Sequence, residues 1–568
     1  MKDKNLFVSI VHVPEIHHEN GWENFLWLQN CARQYGAKAT IGVKKELLSE
    51  SFVVEQLLDY RKQGDEIALL LNIEQNEEGK STIDNGFAAY KKAFGEYPAS
   101  VLSSRQDAPL WKYIKEKYPE VTAGIGFAFE EGDHVYHGHQ IFNREWMDFC
   151  EGTPWWPFWP SAQNKQCPGA PGNNIEIMNF PWLVRDMIMS FLGRDDFYSS
   201  EIGDLLRSKV IDEKDDSYLK RFFEAYAKQL KYNPYSFYLV LQESGWLSPG
   251  PKVFEEPHEL YKVLYEKYFS EIFSQYPNLS YVTLSEYSDW HKKAFNMENP
   301  PTVCVWEDII YDSGKQYVWY QDDKARLLFD ADQGASILDL RPYIANIAKY
   351  RGSDSKDLWD GSYPFLIQSF HRCNSGHKCE LRIGKELYRL AEQECRLENV
   401  LRTEESVEFI FEPILWKAPN AELSVQTHYK IDRRKDFRLE INRIIKGTLP
   451  QNETLRVKEH FTGCWGTDSH PVSLKGIMLS LKGGETDENI EYAYKARTNE
   501  MSGASSAEVI FPEYNFKLSL VPEEKCSCFI KEGDINHNFY ELGCERELHG
   551  KLVNEAVKTI IFLQPGKL

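Results

Sequence analysis

The chain has 568 residues, and its 86 acidic against 66 basic residues give a formal net charge of −20. A chain of this length exceeds a single hydrophobic core, so two or three domains are expected. A negative field of this size disfavours nucleic acids and anionic membranes as partners.

Aromatic residues are abundant, with 15 Trp, 31 Tyr and 32 Phe. Such rings stack on the apolar faces of sugars, and they also fill the cores of β-sandwiches, so both interpretations stay open. Eleven scattered cysteines form no small-domain framework, and their odd number indicates a reducing compartment. The apolar run Leu6–Val13 is too short for a signal or a membrane span. We therefore expect a cytoplasmic protein, unless a signal peptide was removed.

Short apolar strands alternate with amphipathic helices in the first half of the chain, which predicts a parallel α/β architecture. Apolar spacing predicts the first two helices at Trp22–Tyr35 and Val53–Gln63. The predicted strands are Leu6–Val11, Ala39–Val43, Glu66–Asn72, Val101–Ser104, Thr122–Phe127, Ile175–Phe180, Phe237–Leu241 and Tyr281–Thr283. Eight strands with intervening helices favour a (β/α)7–8 barrel over an open sheet.

A Pro-rich segment, Asn299–Thr302, marks the predicted boundary between a barrel at 1–298 and a second domain at 299–568. From Tyr317 onward the pattern changes to alternating strands separated by turn signals, which predicts an antiparallel β-sandwich. The strands predicted there include Ala325–Phe329, Ser406–Phe411, Leu423–Ile431, Phe437–Ile445, Gly476–Leu481 and Phe516–Leu520.

Three segments of the first half resemble the glycoside hydrolase and polysaccharide deacetylase barrel superfamily. They are ATIGVKKELLSESFVVEQLLDYRKQGDEIALLL at 39–71, SSRQDAPLWKYIKEKYP at 103–119 and SYVTLSEYS at 280–288. Metal-dependent deacetylases of that superfamily carry paired aspartates after the first strand and two histidines after the third. Here those strands end in HVPEIHH at 12–18 and LLLNIEQ at 69–75, so the usual deacetylase metal site cannot be assembled.

The strand end VHVP at 11–14 is closer to the sugar-hydrolysing branch, which includes family 57 amylases and family 38 α-mannosidases. Those enzymes carry a β-sandwich behind the barrel. The segment Tyr317–Tyr343, which includes FDADQGASILDLRPY, resembles the start of a galactose-mutarotase-like sandwich. The resemblance therefore implies a glycosidase rather than an esterase.

Glycoside hydrolysis usually needs two carboxyl groups, and a barrel gathers them where the carboxyl ends of its strands meet. Glu243 ends an apolar strand beside Trp246, which suits a proton donor, although it also suits a loop cap. Asp107 stands near Arg105, which suits a nucleophile or base, but it is equally placed as a helix N-cap. Asp186 is a third catalytic candidate, which would otherwise pair with Arg185 or cap a helix.

Further strand-end residues are expected to bind substrate: His12, Glu15, Glu74 and Arg105. The pattern requires no cofactor. If a divalent ion such as zinc is bound, we expect it to be held by His12, His17 and His18 together with Glu15.

The loop GTPWWPFWPS at 152–161 concentrates aromatic rings between prolines, which prevents a regular helix. We expect its indoles to form a stacking platform for sugars, and a buried aromatic plug is the alternative. The tryptophans assigned to substrate binding are Trp155, Trp156, Trp159, Trp182 and Trp246.

The sequence thus predicts a carbohydrate-active enzyme, a glycoside hydrolase acting on an oligo- or polysaccharide with carboxylates at barrel strand ends. Three alternatives remain: a metal-dependent carbohydrate deacetylase or esterase with rearranged ligands, a polysaccharide lyase, and a non-catalytic carbohydrate-binding protein. Neither a nucleic acid nor a membrane is expected as a partner, and nothing in the sequence specifies the oligomeric state.

Overall fold

The computed structural model describes most of the chain, which divides into two compact units. Described residues up to Asp312 form the first, here called the α/β unit, and those from Ser313 onward form the second, the β unit. The described ranges are 4–72, 79–104, 108–127, 156–163, 167–191, 198–249, 259–345, 366–368, 376–418, 421–434, 436–464, 474–483, 486–537 and 539–565.

An eight-stranded parallel sheet forms the centre of the α/β unit, in the order β6-β5-β4-β3-β2-β1-β7 with β8 pairing β1. Its strands are β1 Asn5–Val13, β2 Ala39–Lys44, β3 Glu66–Asn72, β4 Ser100–Ser104, β5 Ala123–Phe127, β6 Met178–Pro181, β7 Tyr235–Glu243 and β8 Leu279–Tyr281. Within the described residues no pairing joins β6 to β7, so the structure shows a parallel sheet, and closure into the predicted (β/α)7–8 barrel is not shown.

Strand β1 has three neighbours. It pairs with β7 along its whole length, from Asn5 opposite Tyr235 to Val13 opposite Glu243. Its other edge pairs with β8 near the start of the strand and with β2 near its end. The carboxyl ends of β1 and β7 therefore lie side by side, and the turns that follow them are neighbours.

Helices cover the sheet and bury its apolar side chains. Phe25 of the first helix packs with Leu69 of β3 and Trp111 of the fourth helix in one cluster of buried side chains. Burial of this kind supplies most of the stability of such amphipathic helices. The helices are α1 Gly21–Gln34, α2 Ser51–Lys62, α3 Gly79–Phe94, α4 Ala108–Lys117, α5 Met187–Phe191, α6 Ile202–Arg207, α7 Ser217–Lys228, α8 Glu259–Lys267 and α9 Leu284–Phe295. No helix in the described ranges is long and apolar enough to cross a membrane.

Local sequence explains where the last helix starts and stops. Thr283 and Glu286 form a reciprocal capping box at the start of α9, which satisfies backbone N–H groups that the helix leaves without partners. Asn296 ends α9 in the left-handed conformation that Asn tolerates. Strand β9, Thr302–Glu307, completes the α/β unit.

The β unit is built from antiparallel strands. Its two larger sheets run in the orders β15-β14-β21-β28-β27-β24 and β16-β17-β19-β20-β29-β26-β25-β22-β23, with β18 beside β19, and β10 to β13 form a smaller sheet. The strands are β10 Gln316–Gln321, β11 Arg326–Asp330, β12 Ser336–Arg341, β13 Ile367–Gln368, β14 Gly376–Ile383, β15 Glu386–Arg389, β16 Leu397–Arg402, β17 Ser406–Phe411, β18 Ile414–Ala418, β19 Ala421–Asp432, β20 Phe437–Thr448, β21 Thr454–Gly463, β22 Met478–Lys482, β23 Glu488–Glu491, β24 Thr498–Ala504, β25 Ser506–Phe511, β26 Phe516–Pro522, β27 Cys526–Glu532, β28 Tyr540–His549 and β29 Leu552–Pro565.

The two larger sheets bury alternate side chains against each other. Every second residue of β19 from Ala421 to Ile431 is buried, as a strand with one covered face requires. The Phe511 ring of one sheet lies 6.0 Å from the Tyr540 ring of the other, measured between centroids. The β unit is therefore a face-to-face packing of antiparallel sheets.

The element predictions agree with the structure in most places. The predicted eighth strand at Tyr281–Thr283 is shifted, since β8 ends at Tyr281 and Thr283 caps α9. The division between the units falls at Asp312, so β9 belongs to the α/β unit although it follows the Pro-rich segment 299–302.

Candidate functional site

The turns after β1 and β7 are bound to each other through Glu15. The Glu15 backbone N–H donates to the Ser244 hydroxyl at 2.8 Å. The Gly245 N–H donates to the Glu15 carboxylate, with 3.2 Å between the nitrogen and Oε2. Glu15 is almost fully buried. Its carboxylate is thus fixed at the edge of the sheet where an α/β protein of this type places its ligands.

Two histidines lie against this carboxylate. Nε2 of His17 is 3.9 Å from Glu15 Oε1, and Nε2 of His18 is 3.9 Å from Glu15 Oε2. The two imidazole centroids are 4.2 Å apart. A Cβ added to Gly245 would lie 2.2 Å from Glu15 Oε2 and 2.6 Å from His18 Cδ2, so a glycine is needed for this approach.

His12 does not join this group. It is fully buried, and its ring nitrogens lie 2.7 Å from Gln29 Oε1 of α1 and 2.6 Å from the Tyr265 hydroxyl of α8. Burial lowers its pKa to about 4, so the ring is neutral. The predicted set His12, His17 and His18 is therefore corrected to Glu15, His17 and His18, because the His12 side chain points into the helix layer.

A group of carboxyl groups surrounds the end of β7. Glu243, the last residue of β7, is half-buried, whereas Glu201 and Asp204 are almost fully buried. Asp204 forms an ion pair of 2.7 Å with Arg207. Burial raises the pKa of Glu201 well above its usual value, and the negative charges of Asp204 and Glu243 raise it further. Burial and both neighbouring charges therefore favour the protonated form of Glu201.

Tyr261 of α8 connects Glu201 to the strand. Its hydroxyl lies 3.2 Å from Glu201 Oε1 and also contacts Oε1 of Gln242, the residue before Glu243. A phenol has one proton and cannot donate to both oxygens. The hydroxyl therefore donates to one of these two oxygens at a time, which links Glu201 to the end of β7.

The half-buried Trp246 lies beside this carboxyl group. A Cβ added to Gly203 in the first turn of α6 would be 2.1 Å from Cε3 of the Trp246 ring. The indole therefore packs directly on the backbone next to Glu201, and its partial exposure leaves apolar surface available at the end of β7.

The other described tryptophans of the predicted binding set are core residues. Trp156, Trp159 and Trp182 are all buried. The Trp159 indole N–H donates to His291 at 3.1 Å, and its backbone N–H donates to Asn299 at 2.8 Å. A sugar cannot reach ring faces buried to this degree, so the predicted stacking platform is corrected to an aromatic plug for these residues.

Asp186 acts as a helix cap. Its Oδ1 accepts the N–H groups of Ile188 at 3.0 Å and Met189 at 2.9 Å in the first turn of α5. Burial raises its pKa to about 7. The structure therefore supports the capping alternative for Asp186, since both the helix and the interior of the unit hold the carboxyl group.

Four predicted site residues lie outside the described ranges: Glu74, Arg105, Asp107 and Trp155. Two further residues, Glu201 and Tyr261, were missed by the sequence analysis. The segment SSEIGDLL at 199–206 carries an acidic residue before an apolar helix, which by itself indicates only a cap.

The sequence matches no protein-family model, and a search of curated proteins finds no relative. Among solved structures, the chain is similar to a 4-alpha-glucanotransferase from Thermococcus litoralis, with 9% identity over 99% of this chain and 100% of that chain, at a TM-score of 0.31. It is also similar to a galactose mutarotase-like protein from Clostridium acetobutylicum, with 8% identity over 46% and 98% of the two chains, at a TM-score of 0.31. A putative mutarotase from Salmonella typhimurium shows 8% identity over 49% and 99%, at a TM-score of 0.30. These names all concern carbohydrates, but TM-scores this low carry no argument about this chain.

Proposed function

We propose that the protein is a carbohydrate-active enzyme, a glycoside hydrolase with Glu243 as its general acid at the carboxyl end of β7. The observation that carries this proposal is the pair formed by the half-buried Glu243 and the buried Glu201. A carboxyl group that stays protonated near neutral pH is what donation to a glycosidic oxygen requires.

Glu201 is a positioning residue in this proposal, because its burial keeps substrate away from it. Two interacting carboxyl groups titrate as a pair, and one proton is retained between them when both cannot ionise. Glu243 is the more exposed member and is the one placed to contact substrate. The second carboxyl group of such a hydrolase remains Asp107, as the sequence analysis predicts.

Trp246 supports a sugar as the substrate. A half-buried indole beside a proton donor offers an apolar face on which a pyranose ring can stack. Gly203 leaves the space that lets this ring lie directly against the helix backbone.

The test is a screen of aryl glycosides with the wild-type protein and the variants Glu243→Gln and Glu201→Gln. Loss of the general acid should lower kcat by about 10²–10⁴-fold in Glu243→Gln. Glu213→Gln, at an exposed position of the same unit, is the matched control and should retain full turnover. Unchanged turnover in Glu243→Gln would rule out the proposed acid.

The pH profile tests the positioning role of Glu201. The two carboxyl groups share one proton in this proposal, so Glu243 titrates alone in Glu201→Gln and the alkaline limb of the kcat profile should move to lower pH. A profile that keeps its shape and only loses amplitude would indicate a structural role instead.

A metal-dependent carbohydrate esterase is the second candidate, and the Glu15, His17 and His18 group favours it. Acetylated sugars assayed with and without a chelator separate the two. Ester cleavage that a chelator abolishes would favour the esterase. Sugar binding without turnover on either substrate class would favour a non-catalytic binding protein.

A further inference from the structure

The turn after β1 brings three metal-ligating side chains together. One ligand atom from each of Glu15, His17 and His18 lies within 4.8 Å of the others. We propose that these three residues bind a divalent transition-metal ion, with Zn²⁺ as the best match, at the carboxyl ends of β1 and β7. This goes beyond the proposed function, since a mechanism with two carboxyl groups requires no metal.

The ligand chemistry selects the ion. Two imidazole nitrogens and one carboxylate oxygen suit zinc and its neighbours, whereas calcium and magnesium prefer oxygen ligands alone. Two ligands that share one zinc, each about 2.1 Å away, are at most about 4.2 Å apart. Each histidine lies 3.9 Å from a different oxygen of the Glu15 carboxylate, and the three ligand atoms lie within 4.8 Å of one another, so a rotation of the His17 ring brings them around one ion.

The backbone holds the group in advance of any ion. The His18 N–H donates to the Glu15 carbonyl at 3.1 Å, and the Gly21 N–H donates to the His18 carbonyl at 3.0 Å, so the segment is a tight turn. The Ser244 and Gly245 contacts fix Glu15 from the other side. Only the exposed His17 has to turn its ring to complete the site, which limits the entropy cost of binding.

Exposure rises across the group, from 3% for the Glu15 side chain to 16% for His18 and 60% for His17. One side of the site therefore faces solvent. Three protein ligands with an open side are typical of a zinc ion that keeps a position for water or a substrate oxygen. Ser244 and Gly245 directly follow Glu243, so such an ion would lie next to the proposed general acid.

The test is a titration of chelator-treated, tag-free, full-length protein with Zn²⁺ by calorimetry, and with Co²⁺ by visible absorption. The expected result is one ion per chain and the intense visible bands of a four- or five-coordinate Co²⁺ site. His18→Gln and Glu15→Gln should each weaken binding more than 10-fold, since loss of an outer partner alone costs about 10–100-fold.

Matched controls come from the same chain. Glu19→Gln changes an exposed glutamate of the same turn, and His537→Gln changes an exposed histidine of the β unit, so both should bind like the wild type. Gly245→Ala should also weaken binding, because its Cβ would displace Glu15 and His18.

Failure to bind an ion would overturn the proposal, and so would binding that survives His17→Gln together with His18→Gln. The titration needs no substrate, so its outcome is separate from that of the glycosidase assay. A protein that binds zinc but cleaves no glycoside would refute only the proposed function.

Discussion

Each unit contains a deeply buried glutamate, and the two behave in opposite ways. In the α/β unit, Glu201 has a raised pKa because it is buried near other carboxylates. In the β unit, burial alone would raise the pKa of Glu459, but Arg443 and His377 outweigh burial and lower it. Neighbouring charge, and not depth, therefore decides whether a buried carboxyl group keeps its proton.

The negative charge of the buried Glu459 carboxylate is compensated by its neighbours. Arg443 donates from Nε to Oε1 at 2.5 Å and from Nη2 to Oε2 at 3.2 Å, while His377 Nε2 lies 2.6 Å from Oε2. Thr427 accepts a further Arg443 N–H at 2.6 Å. This network joins two facing sheets of the β unit, whereas the charges that act on Glu201 in the α/β unit are the negative charges of Asp204 and Glu243.

The largest expected effect comes from breaking the compensated network. Glu459→Gln leaves the buried Arg443 without its counter-charge, which should cost about 3–5 kcal/mol of unfolding free energy. Urea denaturation followed by circular dichroism measures it. Glu405→Gln, which removes one partner of an exposed pair with Arg434, is the control and should cost no more than about 1 kcal/mol. A loss for Glu459→Gln as small as the control would mean that the network is not a stabilising element.

The same comparison predicts opposite pH dependences. The folded pKa of Glu459 is lowered, so its stabilisation is present above its unfolded pKa of about 4.3 and is lost as the pH falls below that value. The folded pKa of Glu201 is raised, so its presence destabilises the fold increasingly as the pH rises above about 4.3.

Glu201→Gln should therefore stabilise the protein at pH 8, by on the order of 1–3 kcal/mol, the usual cost of an uncompensated buried group. The gain should vanish near pH 4, where both states are neutral. Calorimetric melting temperatures across this range, with Glu213→Gln as a flat control, measure the effect. A variant that is less stable than the wild type at pH 8 would contradict the assignment of Glu201 as an uncompensated carboxyl group.

Asp186 tests whether a raised pKa is enough to indicate function. It is buried with a pKa of about 7, yet it caps α5. Asp186→Ala should cost about 0.5–2 kcal/mol through the lost cap, while Asp186→Asn, which can still cap, should keep kcat unchanged. A large fall of kcat in the folded Asn variant would return Asp186 to the catalytic set.

The smallest expected effect tests the apolar surface of Trp246, separately from the carboxyl groups. Gly203→Ala pushes a methyl group into the Trp246 ring and should weaken sugar binding by about 0.5–1.5 kcal/mol, which isothermal titration with an oligosaccharide measures. Gly376→Ala, where the nearest atom to an added Cβ is 3.9 Å away, is the control. Equal affinities in the two variants would remove Trp246 from the binding surface.

The sequence predicts the strands well because apolar periodicity is local. The sequence also predicts that Glu15, His17 and His18 lie together, since they share one turn. His12 is adjacent in sequence but was placed wrongly, because its direction depends on the pleat and on Gln29 and Tyr265 of two distant helices.

Long-range contacts explain the remaining differences. The surroundings of the Glu201 carboxyl group form only when folding brings Glu243 and Tyr261 beside it. Trp159 is buried by partners more than a hundred residues away, His291 and Asn299, which no local pattern reveals. Closure of the barrel is predicted from strand number alone, and the described strands do not show it, because strand number does not determine which edges pair.

The triple pairing of β1 has a consequence for hydrogen exchange. The amides of Ile10 and Val11 lie in a strand that is paired along both edges, so neither edge is open to solvent. They should exchange only through global unfolding of the α/β unit, far more slowly than amides of surface turns. Partially unfolded forms would then retain β1 and β7, and the residues grouped at their ends would be among the last to separate.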